Sequence, residues 1–406
     1  MPDWRVRTQG GAGALPQTPR GLCPIGANLT PPLRGHGVVR FSESMTRSSS
    51  SPPPLSPLFF GRWDDGVATI SKDIDLAATA RECEAFQRKR KVQSAEDLLC
   101  LAMIWGPGRQ SYRETAALAA CGGIVDMSDK AIEGRMRKAG KWLETILARL
   151  LAARMGQPVP EGELSISATD GSVICSPGKG GDWRVHARYD ANLGRFSDFE
   201  LTTAKKAECA SRTPARERQI TIMDRGYAKV RSFKAVLADG GDFIARIGWR
   251  QLVLLDAKGQ RIDTMALLRA TTDKPTEHSV WIKGIGQPLR FIIQPLPPGI
   301  AARQRVKRVR KASKKSQKLD PRTSEAAGYS MLLTSLTADV YTKEQVVARY
   351  PDRWQVEIGF KRMKTLGGID ELPASDPDLA KTWLLAHLMA VVLIEDLARE
   401  ILDFPP

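Results

Sequence analysis

Three observations predict a mixed α/β fold for this chain of 406 residues. Before residue 158, apolar side chains recur at helical spacing; after Pro158 they alternate with period two; from Thr342 onward the pattern returns to helix. Runs of this kind predict a helical segment, then a sheet, then helices that pack back onto it.

The elements follow in order. Residues 1–60 are rich in Gly, Pro, Ser and Arg and include Ser48-Ser49-Ser50-Ser51-Pro52-Pro53-Pro54. Such a stretch buries too little apolar surface to offset its ordering entropy, which predicts a disordered extension or sequence upstream of a start at Met45. Residues 61–158 read as a helical domain. Ser111-Tyr112-Arg113-Glu114 is a capping box, with Gly122-Gly123 as the stop. Ser128 or Asp129 caps the next helix, whose inner positions are Ile132, Met136, Ala139, Leu143, Ile146 and Leu150. Arg135, Arg137, Lys138 and Lys141 decorate the other side. Two readings stand: a helical hairpin with a solvated basic face, or a helix-turn-helix that enters a major groove.

The next segment carries the strands. Leu164 to Asp170 alternates; Arg184 to Asp190 alternates again, with Arg184, His186 and Arg188 on one side. Ala191-Asn192-Leu193-Gly194 is a turn, Phe196 to Thr202 returns, and Ile220 to Asp224 is a further strand. Between 240 and 297 the expected strands are Phe243–Ile247, Leu252–Leu255, Val280–Ile285 and Leu289–Ile293. The block from Arg303 to Arg322 holds ten Lys or Arg in twenty residues. It reads either as a mobile solvated loop or as a segment that tracks DNA phosphates. Ser330 to Leu336 is a last strand. The catalytic domain is thus assigned to 159–239 and 326–402, with a β-rich insertion over 240–325.

Composition limits the function. Lys and Arg number 61 against 45 Asp and Glu, a formal charge of +16. This excess points to a polyanionic partner. No run reaches the roughly 18 apolar residues of a membrane span, so no membrane partner is expected. The cysteines, at 23, 83, 100, 121, 175 and 209, form no Cys-x-x-Cys pair, which supports neither a zinc finger nor a disulfide scaffold.

Asp170 precedes Gly171, Asp224 precedes Arg225-Gly226, and each Asp shares parity with the apolar residues of its strand. Each carboxylate is therefore expected to close its strand and to face a covered surface, where it needs a cation or a partner. An Asp before Gly is also an ordinary turn signal. Tyr350, Arg353, Glu357, Lys361 and Lys364 are spaced 3, 4, 4 and 3, which places them on one helix face. One acid among cations suits a metal beside phosphate; it equally suits salt bridges between helical turns. Pro351 lies inside this stretch and predicts a bend or restart. Trp183, Trp249, Trp281 and Trp354 are candidates either for stacking on a distorted base or for core packing.

Tyr350-x2-Arg353-x3-Glu357-x6-Lys364 is similar to the Tyr-Arg-Glu-Lys signature of transposases of insertion-sequence family 4, a branch of the Asp-Asp-Glu (DDE) transposases. Thr169-Asp170-Gly171-Ser172 and Met223-Asp224-Arg225-Gly226-Tyr227 resemble the settings of that family's two aspartates. The resemblance implies a ribonuclease-H-like catalytic domain, a mixed sheet with helices on both faces, interrupted by a β-rich insertion. The spacings of 54 residues from Asp170 to Asp224 and 133 from Asp224 to Glu357 fit that layout. It further implies that Asp170, Asp224 and Glu357 are catalytic and ligate two Mg²⁺, with Mn²⁺ as a substitute. Tyr350, Arg353 and Lys364 would contact the transposon end; Lys361, on the same face, is a geometric addition, and Arg184 and His186 are candidate DNA contacts on a basic strand face. A hydrogen-bonded structural role is the other reading of His186. The partners implied are double-stranded DNA, both element ends and target, and a second copy of the chain in the DNA complex. The expected location is the bacterial cytoplasm at the nucleoid. Two rival readings are a metal-dependent nuclease on the same fold and an inactive, element-derived DNA-binding protein.

Overall fold

The computed structural model describes residues 69–155, 164–175, 181–365, 367–370, 372–373 and 376–402. The expectation for residues 1–60 lies outside them.

Ahead of the sheet the described residues include α1 (Leu76–Glu82), α2 (Ala95–Trp105), α3 (Tyr112–Cys121) and α4 (Asp129–Met155). Each start has a side-chain cap. Ser111 Oγ accepts from Glu114 N while the Glu114 carboxylate accepts from Ser111 N, the reciprocal pair its sequence predicts. Ser128, rather than Asp129, caps α4, accepting from Ala131 N at 3.4 Å. Along α4, Ile132, Met136, Ala139, Leu143 and Ile146 are buried. They pack with the apolar face of α11 (Pro377–Leu402), the longest helix after α4. By length and composition α11 could cross a membrane, yet 72% of its apolar window is buried inside the protein. Arg154, near the end of α4, reaches Glu395 and Asp396 on α11 at 2.9 and 2.8 Å.

Eight strands form one sheet: β1 (Ser165–Cys175), β2 (Gly181–Asp190), β3 (Arg195–Thr203), β4 (Gln219–Met223), β5 (Asp242–Arg246), β6 (Thr276–Val280), β7 (Leu289–Pro295) and β8 (Tyr329–Thr334). Their order is β3-β2-β1-β4-β5-β8-β7-β6. β1, β2 and β3 are an antiparallel meander, whereas β1, β4 and β5 run parallel. The parallel crossover from β4 to β5 is made by α5 (Val230–Ala238).

The remaining helices are α6 (Thr264–Ala270), α7 (Pro298–Ser313), α8 (Pro321–Ala326), α9 (Lys343–Arg349) and α10 (Trp354–Thr365), with a 3₁₀ turn over Tyr350–Arg353 between the last two. Alternation sorts side chains to the two faces of the sheet. Met223, Phe243, Ala245, Phe291 and Leu333 pack with α5 and α6. Ile220, Ile222, Ile244, Ile292 and Leu332 point the other way and pack with Val346 of α9.

Several expected elements move. β1 does not end at Asp170: pairing with β4 stops at Thr169, but antiparallel pairing with β2 carries β1 on to Cys175. Leu252–Leu255 is not a strand; only Leu255 makes isolated bridges, to Arg261 and Trp281. The strand expected at Val280–Ile285 lies earlier, at Thr276–Val280, because the chain turns through Gly284 at φ +90°. The first half of the basic block is neither strand nor loop but helix α7, which Pro298 starts as a first-turn proline.

Candidate functional site

Asp170 and Asp224 sit side by side. The parallel register pairs Thr169 with Met223, so the next residue on each of two neighbouring strands is an aspartate. Adjacent strands lie about 4.8 Å apart, which brings both carboxylates to one edge of the sheet face. Asp170 Oδ1 accepts from Gly171 N at 2.8 Å. Asp224 Oδ1 accepts from Gly226 N at 2.7 Å and Tyr227 N at 3.2 Å, an Asx turn that aims the side chain. The 3₁₀ turn lies over β1 and β4, and α10 over β1, β2 and β3, so this face is covered.

That cover brings Arg353 and Glu357 to the aspartates. The helix breaks at Pro351 as its sequence predicts, and Arg353 emerges from the 3₁₀ turn. Its guanidinium donates to Glu357 and stands 3.9 Å from Asp170 Oδ2. Arg353 is thus the cation that joins the two acids. Burial would lower its pKa, but the Glu357 hydrogen bond and the charges of Tyr350, Glu357 and Asp170 leave it raised. Burial, helped by the like charges of Asp224 and Glu357, pushes Asp170 up to about 6, against the Gly171 hydrogen bond and Arg353. A carboxylate in this setting gains from a nearby cation. Among the described residues, no three His, Cys, Asp or Glu side chains are gathered tightly enough to hold a metal ion. The donor set, all carboxylate oxygen, is the type that hard divalent cations take.

The other residues singled out by sequence divide into two groups. Lys364 Nζ donates to the Val173 carbonyl at 3.3 Å, and Lys361 is exposed beside it. Tyr350 is half-buried, with burial raising its pKa. These flank the acids. Arg184 and His186 face the protein instead. Arg184 pairs with Glu208 at 3.3 Å and donates to the Lys206 carbonyl. His186 is wholly buried, with Nδ1 on Tyr227 Oη and Nε2 on Thr202 Oγ1, each at 3.0 Å. The expectation that His186 touches DNA is therefore corrected: Tyr227 and β3 cover the strand face on which it stands. Trp354 is 59% exposed and lies under Arg353, 5.6 Å from ring centroid to guanidinium.

Three features carry no clear mark in the sequence. Glu208 is a fourth carboxylate at the site; a Cβ on Gly226 would lie 2.1 Å from its Oε2 and 3.1 Å from Asp224 Oδ1, so a side chain at 226 would push the Glu208 carboxylate aside. Arg225 is held down to about 10 by burial and by the charges of Arg246 and Arg308, a positive cluster next to Asp224. A cleft of about 250 Å³ beside it is lined by Trp249, Arg250 and Thr323 among others. These residues lie far apart in sequence, and only the order of β4, β5 and β8 with α7 and α8 gathers them.

The chain is similar to several known proteins. Residues 162–393 match the family described as transposase DDE domain, a span that holds Asp170, Asp224 and Glu357. The chain is 37% identical over 354 residues to a protein of Escherichia coli K12 named as transposase InsL for insertion sequence element IS186A, covering 85% of this chain and 96% of that one. It is equally similar, 37% over 355 residues with the same coverage, to the transposase for insertion sequence element IS421 of Escherichia coli. A synaptic complex of piggyBac transposase with hairpin DNA aligns with TM-score 0.44 at 9% identity, over 86% of this chain and 76% of that one. The chain belongs to the DDE transposases of insertion sequences, in an insertion-sequence-family-4-like branch.

Proposed function

We propose that Asp170, Asp224 and Glu357 are the catalytic acids of this DDE transposase, and that its catalytic domain is ribonuclease-H-like; the sequence bounds of 159–239 with 326–402 extend to take in β5 (Asp242–Arg246), which lies between β4 and β8 in the sheet, and the insertion follows it up to residue 325. One observation carries this reading: two aspartates at matched positions on neighbouring parallel strands, with one glutamate from the covering helix tied to the first of them, Asp170, by Arg353. The strand order, an antiparallel meander joined to two parallel strands with helices on both faces, supports the fold assignment.

Divalent metal dependence follows from the family; Mg²⁺, with Mn²⁺ as a substitute, suits three carboxylates. Two such ions held by Asp170, Asp224 and Glu357 would supply an activated water and a neutralised leaving oxygen. The chain's own residues do the rest. The Asx turn at Asp224 and the Gly171 hydrogen bond fix two acids on strands. Arg353 aims Glu357 and offsets its charge. Lys361, Lys364 and Tyr350 flank the acids and hold the DNA backbone at the element end, with Arg225 and Arg246 on the other side of Asp224. Water attack frees a 3′-OH, and that hydroxyl then attacks phosphorus in its turn, the same in-line geometry serving cleavage and joining. Two ends held together call for a homodimer in the DNA complex, working on chromosomal DNA in the bacterial cytoplasm. A groove lined by Arg88, Arg90, Arg135 and Lys138 offers the helical segment a DNA contact.

The test uses end-labelled DNA flanking the gene, with Mg²⁺ at low salt. Wild-type protein is expected to break one strand at the element end and to join the freed 3′ end to added DNA. Glu357→Gln and Asp170→Asn are expected to lose both activities, by 10³-fold or more, while melting as the wild type does. Breaks that persist in both variants would show that other residues do the chemistry.

A further inference from the structure

Helix α7 is a long basic surface among the described residues. It has no Asp or Glu, and Ala301 is its one buried residue. Its partly covered positions, Gln304, Arg308 and Ala312, continue the Ala301 stripe that faces the body of the protein. On the outer side, Arg303, Lys307, Arg310 and Lys314 are all exposed. At 100° per residue these four fall within an arc of roughly 60°, and at 1.5 Å per residue they form a straight ridge about 16 Å long.

Among the described residues, none of the four is in an ion pair, whereas cations on several other helices find acids. On α4 and α11, Lys130, Arg137 and Lys381 pair with Glu133, Asp376 and Glu144. Around α8, Arg269 and Arg322 pair with Glu325 and Asp320. Along the ridge, like charges stand three and four residues apart, which weakens a helix by about 0.2–0.5 kcal/mol per pair. A polyanion laid along the ridge removes that repulsion.

We infer that the α7 ridge is the surface that holds target DNA, gripping the duplex by its phosphates without reading its sequence. Cations in a row along a convex helix reach backbone phosphates, and such contacts position a duplex without specifying it. A 16 Å ridge runs beside about five base pairs, at 3.4 Å per pair along one strand. Of the two DNA partners in the proposed reaction, the element end has a fixed sequence and the target does not. The inner side of the same helix brings Arg308 to the Arg225 cluster beside Asp224. A duplex on the ridge therefore lies about one helix diameter, 10–12 Å, from the catalytic neighbourhood.

This inference rests on the transposase reading only for its second readout. In one variant, Arg303, Lys307, Arg310 and Lys314 all become Ala, the residue with the best helix propensity, and helix content is checked by circular dichroism. The first readout is affinity for random-sequence duplex as salt is varied. Four lost phosphate contacts should reduce the slope of log K against log salt by about 3.6. The second is the reaction itself: end cleavage within twofold of wild type, and joining to added target reduced at least tenfold unless target is raised. Should the fourfold variant unfold, Arg303→Gln with Lys307→Gln decides, with an expected slope change of about 1.8. An unchanged slope overturns the ridge. Equal loss of cleavage and joining overturns its assignment to target and gives it to the element end. A variant that loses only self-association, by sedimentation, gives the face and its exposed Val306 and Val309 to a second copy and likewise overturns the inference. If wild type cuts nothing, the transposase chemistry fails while the salt slope still decides the ridge.

Discussion

Strand β2 and helix α7 are both basic in sequence, and the fold uses them in opposite ways. On β2, Arg184, His186 and Arg188 alternate on one face, and all three are turned to protein partners. On α7, four cations face outward with no partner among the described residues. Charge pattern therefore does not distinguish a DNA-facing surface from a polar core. What distinguishes them is cover: the face of β2 that carries the three is covered by Glu208, Thr213 and Tyr227, whereas α7 touches the body along one stripe only.

Arg188 shows the covered case at its limit. It is wholly buried, and its guanidinium donates to Thr213 O, Ser167 Oγ, Gln219 Oε1 and Thr221 Oγ1. Those acceptors are neutral. Burial lowers its pKa to about 10, opposed by the charges of Asp198 and Asp239. The guanidinium ties β1, β2 and β4 together on the sheet face opposite Asp170, one of the proposed catalytic acids. Replacement by Met leaves several buried acceptors unmet, each costing about 1–3 kcal/mol. The expected loss for Arg188→Met is more than 3 kcal/mol of unfolding free energy, read by urea denaturation. A variant as stable as the wild type would mean that water or another donor serves these acceptors and that the β2 face is not a core.

Arg353 is the intermediate case, half covered and set between two acids. Arg353→Ala is expected to lower single-turnover end cleavage by 10²–10³-fold, the size of effect seen when one preorganised charge is removed from a reacting centre. Arg353→Lys should recover only part of it, because an ammonium is a strongly hydrated point charge on a more flexible stem, whereas the planar guanidinium sets Nη1 between Asp170 and Glu357. DNA affinity should change little in either variant. A loss confined to affinity, with cleavage of saturated complexes intact, would move Arg353 into the same class as the α7 cations.

The parts of the fold that were legible are those whose signal is local. The Ser111–Glu114 box, the Gly122-Gly123 stop, the turn at Gly194 and the break at Pro351 each depend on a few adjacent residues. Asp170, Asp224 and Glu357 were legible through spacing and resemblance. Glu208 was not, because it lies in the segment after β3 and reaches the site only through the order of the strands. The end of β1 was misplaced for a related reason: Gly171 looks like a stop, and only the ladder with β2 overrides it. Within the basic block, Pro298 and the absence of any acid were visible, but the stripe of Ala301, Arg308 and Ala312 against the body was not.

The smallest effect is expected at His186, where the comparison between the two basic surfaces can be tested most directly. Burial, with the charges of Arg212 and Arg184, holds its pKa down to about 4. The unfolded chain takes up that proton near 6.5. Between those values the unfolded state binds a proton that the folded state refuses, so this residue's burial makes stability fall as pH drops from 6.5 toward 4. His186→Gln keeps a polar side chain but loses the paired hydrogen bonds to Tyr227 and Thr202, at a cost of about 1 kcal/mol at pH 8. The variant has no proton to refuse, so its deficit should shrink as pH falls below 6.5 and the difference should go on shifting in its favour toward pH 4, measured by thermal melts across that range. Its affinity for duplex DNA should match the wild type at every salt concentration. A pH-independent deficit together with a weaker grip on DNA would return His186 to the DNA surface and undo the contrast between β2 and α7.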